Sequence, residues 1–499
     1  MTIAGPALIN KIKVGRSDSE KMDLALGGTR LITLRLENPR GKISMRRSHA
    51  ALLSSALATF LFAGSAEAMS LKEALATAYS TNPQIEGARA NVRATDEEVA
   101  KANAGWRPSI SLSGTEGYQN VITDQPIRSE SDRNLVNGTA ALTEPLFRGG
   151  RTVADIRRAK ALVRAAEAQL ANAEQSVLLD AITAYMDVVR DVATREYRLS
   201  NVQVLEQQLN ATNIQQNAGA VTQTDVQQTQ ARLALARAGL SSAEGQLAIS
   251  RAHFERVIGR PAESLEPMPP LPALPATLEE AVDRAVTTAP TLIAAQENSR
   301  AADYSIDQAT SALLPQVSLS LQYQYAKNST IIGVLSPSVT QRQASVFVQV
   351  TVPLYQGGAE YAGIRQAKEQ RSQSLANVAE ADRQVREFTQ GAWGSYLAAQ
   401  AAIESNQLAV AANQAAVMGV ISEQRAGERA ILDILNAQQE LLSGEIGLAN
   451  AQHDATVAGY QLLASTGQLN ARVLGLDVEL YDPARHYNRD AASWFGVDP

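Results

Sequence analysis

The chain has 499 residues, 45% of them hydrophobic and 19% charged, which is apolar material enough for about two to four ordinary domains. It contains no cysteine, which excludes disulfides, thiolate metal sites, cysteine nucleophiles and a lipidated N-terminal cysteine, and aromatics at 5% favour close-packed helices over an aromatic-rich sandwich. The formal charge is -6; residues 1–68 hold ten Lys or Arg against five Asp or Glu, leaving -11 on the remainder, an acidic body that argues against nucleic acid as a partner.

Met45 opens "MRRSHAALLSSALATFLFAGSAEA", in which Arg46 and Arg47 precede an apolar run and a small-residue ending at Ala66 or Ala68. This pattern predicts a secretory signal peptide over 45–68 rather than a buried helix, and its apolar run is shorter than the ~20 residues a membrane-spanning helix needs. Residues 1–44 have no evident role, and the expectation is that Met45 is the initiator and 1–44 a mis-annotated extension. No later stretch reads as a transmembrane helix.

The rest of the chain is written twice, at an offset of 207 residues that becomes 208. "LKEALATAYSTNP" from Leu71 matches "LEEAVDRAVTTAP" from Leu278, and "RPSISLS" from Arg107 matches "LPQVSLS" from Leu314. "PLFRGG" at 145–150 matches "PLYQGG" at 353–358, and Tyr185, Gly219, Asp225 and Gly259 match Trp393, Gly427, Asp433 and Gly467. The repeats occupy 69–260 and 276–470, joined by a stiff connector at 261–275 that holds six prolines, and a tail follows at 471–499.

Each repeat opens with a short helix, near 70–81 and 277–288, and a second helical stretch to about Gly105 and Leu313. Strands are predicted at about 109–118 and 137–147, and at 316–325 and 344–354. Val317, Leu319, Leu321, Tyr323 and Tyr325 alternate with Gln and Ser, and Val346, Val348, Val350 and Val352 share one face. Strands of about ten residues with this alternation fit a barrel with lipid outside and water inside, or a half-buried soluble hairpin.

Pro145 and Pro353 are expected to end a strand, and Gly149, Gly150, Gly357 and Gly358 to turn the chain into the helix that follows. Those helices are predicted over 151–218 and 359–426, each 68 residues without proline and about 100 Å long if continuous. Leu162, Ala166, Leu170, Ala173, Val177, Ala181, Tyr185, Val188 and Val192 form a buried stripe at helical spacing, and alanines such as Ala159, Ala161, Ala165, Ala168 and Ala171 flank it. Gly219 and Gly427 suit the left-handed position at a helix C-terminus, and return helices run over 222–258 and 430–466, completing paired coiled-coil hairpins. Residues 203–230 hold twelve Asn or Gln, which fits a wet lumen, a partner surface or a solvated face equally.

Four strands cannot close a barrel, and an open sheet edge is not tolerated in hydrocarbon, so lipid-inserted strands must be shared among subunits; three copies give twelve. On these motifs, over roughly Leu71 to Gly467, the chain resembles the TolC-like outer-membrane efflux and secretion channels. The resemblance implies a mixed α and β membrane protein, a homotrimer with a twelve-stranded β-barrel in outer-membrane lipid and a twelve-helix periplasmic tunnel. It implies passive export of drugs, toxic compounds such as bile salts, or proteins, with a periplasmic adaptor and an inner-membrane pump of RND or ABC type as partners, and no cofactor. It places gate charges at Asp225, Arg429 and Asp433, which otherwise read as solvated residues of a helix turn. The chain departs from the family pattern at Asn436, where an acidic residue is expected, and at Gln424, where a tyrosine is usual.

Two other classes compete. The four histidines, His49, His253, His453 and His486, show no metal or triad spacing, and no phosphate-binding glycine loop occurs, so an enzyme is disfavoured. A pore-less periplasmic coiled-coil scaffold or adaptor would use the hairpins but has no need of duplicated alternating strands.

Overall fold

The computed structural model describes residues 68–499 except 125, 127, 268–269, 333–338, 492, 495 and 497–499. The expected extension at 1–44 and all but the last residue of the expected signal peptide lie outside the described residues.

The first repeat runs α1 (Leu71–Thr81), α2 (Pro83–Asn103), β1 (Ser109–Thr123), β2 (Ser129–Arg148), α3 (Arg151–Asn217) and α4 (Gln223–Ile258). The second repeats that order as α5 (Leu278–Thr288), α6 (Pro290–Thr310), β3 (Gln316–Ile332), β4 (Val339–Thr351), α7 (Ala359–Arg425) and α8 (Ile431–Ser465), and a short α9 (Pro483–Asp490) lies in the tail. Local chemistry sets the boundaries. Ser70 and Thr277 cap α1 and α5 by accepting from the amides of Glu73 and Glu280, while Pro83 and Pro290 occupy first-turn positions where a missing N–H costs nothing.

The four strands form one antiparallel sheet in the order β1-β2-β3-β4. Its register aligns Ile110, Leu142, Leu321 and Val346 in one row, and Ser113, Thr139, Gln324 and Gln343 in a row on the opposite face. The apolar face is uncovered in the single chain: Ile110 is 78%, Leu112 85% and Val346 65% exposed.

Two expectations about the strands need correction. The strands pair well past the alternating segments, to Thr123 and from Ser129 in the first repeat, and to Ile332 and from Val339 in the second. Backbone ladders do not require an apolar face, so the polar ends of the hairpins remain paired. Pro145 does not end β2 either. It pairs with Ser318, the register slips between Pro145 and Phe147, and the strand continues to Arg148; a bulge tolerates a residue without an amide donor. β4 does stop at Thr351, two residues before Pro353.

Gly149, Gly150, Gly357 and Gly358 all have φ between 62° and 85°. Such consecutive left-handed residues are where side chains are strained, and at Gly149 a Cβ would also come within 2.7 Å of Leu314 Cβ and Ser311 O. Gly149 is thus required twice over, by backbone angle and by space, and Gly150 by backbone angle.

Beyond the sheet, the helices form a wall four elements wide. Nearer the strands the order is α2, α3, α6, α7; toward the hairpin turns it becomes α4, α3, α8, α7. α3 sits inside the wall along its whole length of about 100 Å. Small residues make this possible: Ala159, Ala161, Ala165, Ala166 and Ala168 are all buried, which lets neighbouring helices approach α3 from both sides. α7 buries only Ala367, Val385, Thr389, Ala392 and Ala399, and leaves Phe388, Leu397, Leu408 and Met418 exposed, so it forms an uncovered edge.

The largest core lies where the two halves of the wall meet, and gathers α1, the middle of α3, the ends of α4 and α8, the proline-rich connector and residues 469–476 of the tail. Tyr185 is at its centre, packed against Phe254 at 6.3 Å between ring centroids. Its hydroxyl reaches two carbonyls, Glu266 O at 2.7 Å and Met69 O at 3.0 Å, so it ties the connector and the chain before α1 to α3. Burial pushes its pKa up to about 12. Trp393 occupies the matched position of the second repeat, beside Ala281 and Leu462 in a smaller cluster.

An ionic seam joins α3 to α8 in the same region. Nearly buried His453 holds Nε2 3.0 Å from Asp187 Oδ1 and Nδ1 2.8 Å from Asp454 Oδ1, while Arg190 contacts Asp187 at 3.0 Å and Asp191 at 2.8 Å. Burial opposes the charge on His453, but the bonds to Asp187 and Asp454 outweigh it and hold its pKa above the ordinary value. Burial likewise opposes charge on Asp187, and the His453 bond and Arg190 outweigh it and hold its pKa below the usual carboxylate value.

Two outcomes follow for stability. Tyr185→Phe removes the hydroxyl that bridges Glu266 O and Met69 O, although Met69 O keeps the Glu266 amide as donor, and should cost about 0.5–1.5 kcal/mol, read as a lowered thermal midpoint with unchanged circular dichroism. The raised His453 pKa contributes stability that is complete below its ordinary value of 6.5 and is lost as pH rises through the folded value. The depressed Asp187 pKa contributes stability that is lost only as pH falls through a value below 3.8. The thermal midpoint should therefore fall as pH is raised above 6.5, and His453→Gln should flatten that dependence.

Candidate functional site

The hairpin tips carry the residues singled out as gate candidates. At the first tip α3 ends in Ala218 and Gly219, the latter at φ 75°, and the amide of Ala220 donates to Gln215 O at 2.9 Å. At the second, Gly427 has φ 84° and the amide of Glu428 donates to Glu423 O at 2.9 Å. These are matched glycine closures in which the six-to-one bond satisfies an end carbonyl of the long helix.

Asp225 and Asp433 serve the return helices. Asp225 Oδ2 accepts from the Thr222 amide at 2.9 Å and its hydroxyl at 2.7 Å, and the Asp225 amide donates back to Thr222 Oγ1 at 3.2 Å, a complete capping box. Asp433 Oδ2 accepts from the Ala430 amide at 3.2 Å, but Ala430 stands where the first repeat has Thr222 and has no oxygen with which to reciprocate. Each carboxylate also lies at the positive end of its helix dipole. The duplication of the two aspartates therefore has a local, structural explanation.

Arg429 reaches neither aspartate within the chain. Its Nε donates to Glu423 Oε2 at 2.9 Å, back along its own hairpin. At the tips, a bond from one hairpin to the other joins Arg232 Nη2 to Asn436 Oδ1 at 2.9 Å. Sequence reasoning noticed Asn436 only as a missing acid and passed over Arg232 and Glu423. The usable signal was that an arginine lies more than two turns into α4, where the asparagine three residues beyond Asp433 could face it.

Beneath these polar groups lies an apolar seam. Val202 and Leu205 of α3, Leu233 of α4 and Ile431 and Leu435 of α8 are buried together, with Leu209 and Val221 against them. Each fully buried aliphatic side chain contributes roughly 1.5–3 kcal/mol, whereas an exposed ion pair contributes about 0–1 kcal/mol. Within one chain, then, apolar packing holds α8 to the first hairpin, and the charged groups lie on the exposed rim. None of the twelve Asn and Gln of 203–230 is buried, which leaves them outside this seam.

No group of three or more His, Asp or Glu able to hold a metal occurs among the described residues, and no helix among them is long and apolar enough to cross a membrane.

Comparison with known proteins gives this architecture a family. The model of the family described as "Outer membrane efflux protein" matches residues 74–260 and 281–468, one segment on each repeat. The outer membrane efflux protein BepC of Brucella suis is 34% identical over 441 residues, covering 88% of this chain and 94% of that one. The proteases secretion protein PrtF of Dickeya chrysanthemi is 27% identical, covering 85% and 93%. Among solved structures, the outer-membrane channel OprN superposes with a TM-score of 0.70 at 22% identity, covering 80% of this chain and 90% of that one, a likeness of fold. The chain belongs to the outer membrane efflux protein family, and it is a non-enzymatic channel of the outer membrane serving efflux or secretion.

Proposed function

We propose that three copies of the chain close a twelve-stranded barrel in the outer membrane and continue it as a twelve-helix tunnel into the periplasm. The observation that carries this reading is the sheet. It is four strands wide, its outer strands β1 and β4 each leave one edge unpaired within the chain, and its apolar face is bare. Hydrocarbon tolerates neither open edge, and threefold closure removes both. The exposed flank of α7 supports the same closure, since a neighbouring copy would cover it.

In this assembly the duct is passive, and energy comes from an inner-membrane pump of the RND or ABC class engaged through a periplasmic adaptor. Efflux and protease secretion are the activities named for the relatives BepC and PrtF, so small toxic compounds and proteins are the two cargo classes to test.

The gate is assigned to the tips, where Asp225, Arg429 and Asp433 of one copy would face those of the next around the threefold axis. Weak exposed pairs suit a joint that must open, and the buried seam of Val202, Leu205, Leu233, Ile431 and Leu435 keeps each subunit's own hairpins together as it does. Gly149, Gly150, Gly357 and Gly358 set the change of direction between sheet and helix, with Pro353 leading into the second turn, while Pro145 lies within β2 at its bulge.

Planar-bilayer recordings of the purified protein should give discrete steps that grow in an Asp225→Ala, Arg429→Ala double variant. Steps of equal size would remove these residues from the gate, and absence of steps after verified insertion would remove the pore. Ala430→Thr should complete the second capping box, adding about 0.5–2 kcal/mol of local stability, read as slower amide exchange in the first turn of α8.

A further inference from the structure

The tail after the second repeat is longer than closing the core requires, and its course gives it a destination. After Leu469, Ala471, Leu474 and Leu476 enter the main core, the chain climbs α2 in register. The Tyr481 amide meets Tyr79 Oη at 3.4 Å, His486 Nδ1 lies 3.0 Å from Asp96 Oδ2, and Asn103 Nδ2 donates to Ala491 O at 2.9 Å. Tyr487 and Ala491 pack beside Val99, Ala159 and Val163, in the groove between α2 and α3. The contacts rise with both residue numbers, so from Arg89, whose guanidinium lies 5.3 Å from the centroid of the Tyr481 ring, to Asn103 the strap follows α2 for about 21 Å toward the sheet.

It finishes at Arg107, two residues before β1 begins. Arg107 Nη1 donates to Ser493 O at 2.5 Å, and its guanidinium lies 4.8 Å from the centroid of the Trp494 ring. Trp494 is 61% exposed, and Trp106, Phe147, Leu314 and Tyr355 are exposed at the same strand-to-helix junctions. This collar is continuous with the apolar face of the sheet, because Phe147 is in register with Val317 and Val350. An aromatic ring held by an arginine is the chemistry that partitions to a lipid–water boundary, where the ring is half-immersed and the cation meets headgroup oxygens.

The geometry points to an interfacial lipid contact made by the C-terminal tail: Trp494, held by Arg107, sits in the periplasmic-side headgroup layer and fastens the helical wall to the membrane at the foot of the barrel. This rests on the reading of the sheet as lipid-inserted. The tail is thereby a strap with a function distinct from closing the core.

The chain's three tryptophans, Trp106, Trp393 and Trp494, make the test direct. Two full-length reporters are reconstituted into phospholipid vesicles, one keeping only Trp494 (Trp106→Phe, Trp393→Phe) and one keeping only Trp106 (Trp393→Phe, Trp494→Phe). Should Trp393→Phe impair folding, Trp393→Tyr, the residue type at matched position 185, replaces it. Trp494 should lose about half of its emission to lipids brominated high in the acyl chain and be shielded from aqueous acrylamide. Quenching of Trp106 but not Trp494 by brominated lipid overturns the inference and leaves the barrel standing. If neither is quenched, the inference and the lipid-inserted sheet fail together.

Discussion

Backbone amides in hydrocarbon cannot go unpaired, and the rest of this molecule is arranged around that constraint. Every unpaired N–H or C=O in lipid costs several kcal/mol, and a four-stranded sheet offers two whole edges of them. A chain that inserts such a sheet has to be completed by copies of itself. The helical wall is also four elements wide at both levels, so a closure that satisfies the sheet satisfies the wall with the same symmetry. Width four in strands and width four in helices follow from one duplication, because each repeat contributes two strands and two helices at any height.

The wall is then a problem of fitting a helix of 67 residues between neighbours on both sides without a thick core. Alanine solves it along α3, and the few large side chains are concentrated at mid-height, where Tyr185 and Phe254 in the first repeat gather the connector, α1 and the tail around them. The second repeat has Trp393 and Leu462 at those positions and a thinner cluster, and α7 keeps an exposed flank. The repeats have thus diverged in how much of their surface is satisfied within the chain, the first burying its long helix on both sides and the second leaving a flank of its own exposed. At the tips the same division holds on a smaller scale: apolar packing within a subunit is strong, and the exposed charged rim is weak.

Much of this was legible in the residues. The offset of 207 to 208, the alternating Val and Gln of β3 and β4, and the proline-free spans before Gly219 and Gly427 led to the element order, and the constraint on edges is what the proposal of subunit closure rests on. The strand limits were not legible, because polar residues such as Ser129 or Asn328 pair through their backbones without an apolar signature. Pro145 misled because proline usually stops a ladder, and only the register reveals the bulge that accommodates it. The matched aspartates look like gate charges in one dimension, but in three they are first of all helix caps. Arg232 and Asn436 meet only because two hairpins 204 residues apart cross, which no local pattern reports.

The central claim is closure by three copies, and its most direct measurement is the mass of the detergent-solubilised protein by light scattering, corrected for bound detergent. The account predicts a single species of three chains with no free monomer. A monodisperse single chain that keeps its full strand content by infrared spectroscopy would contradict it.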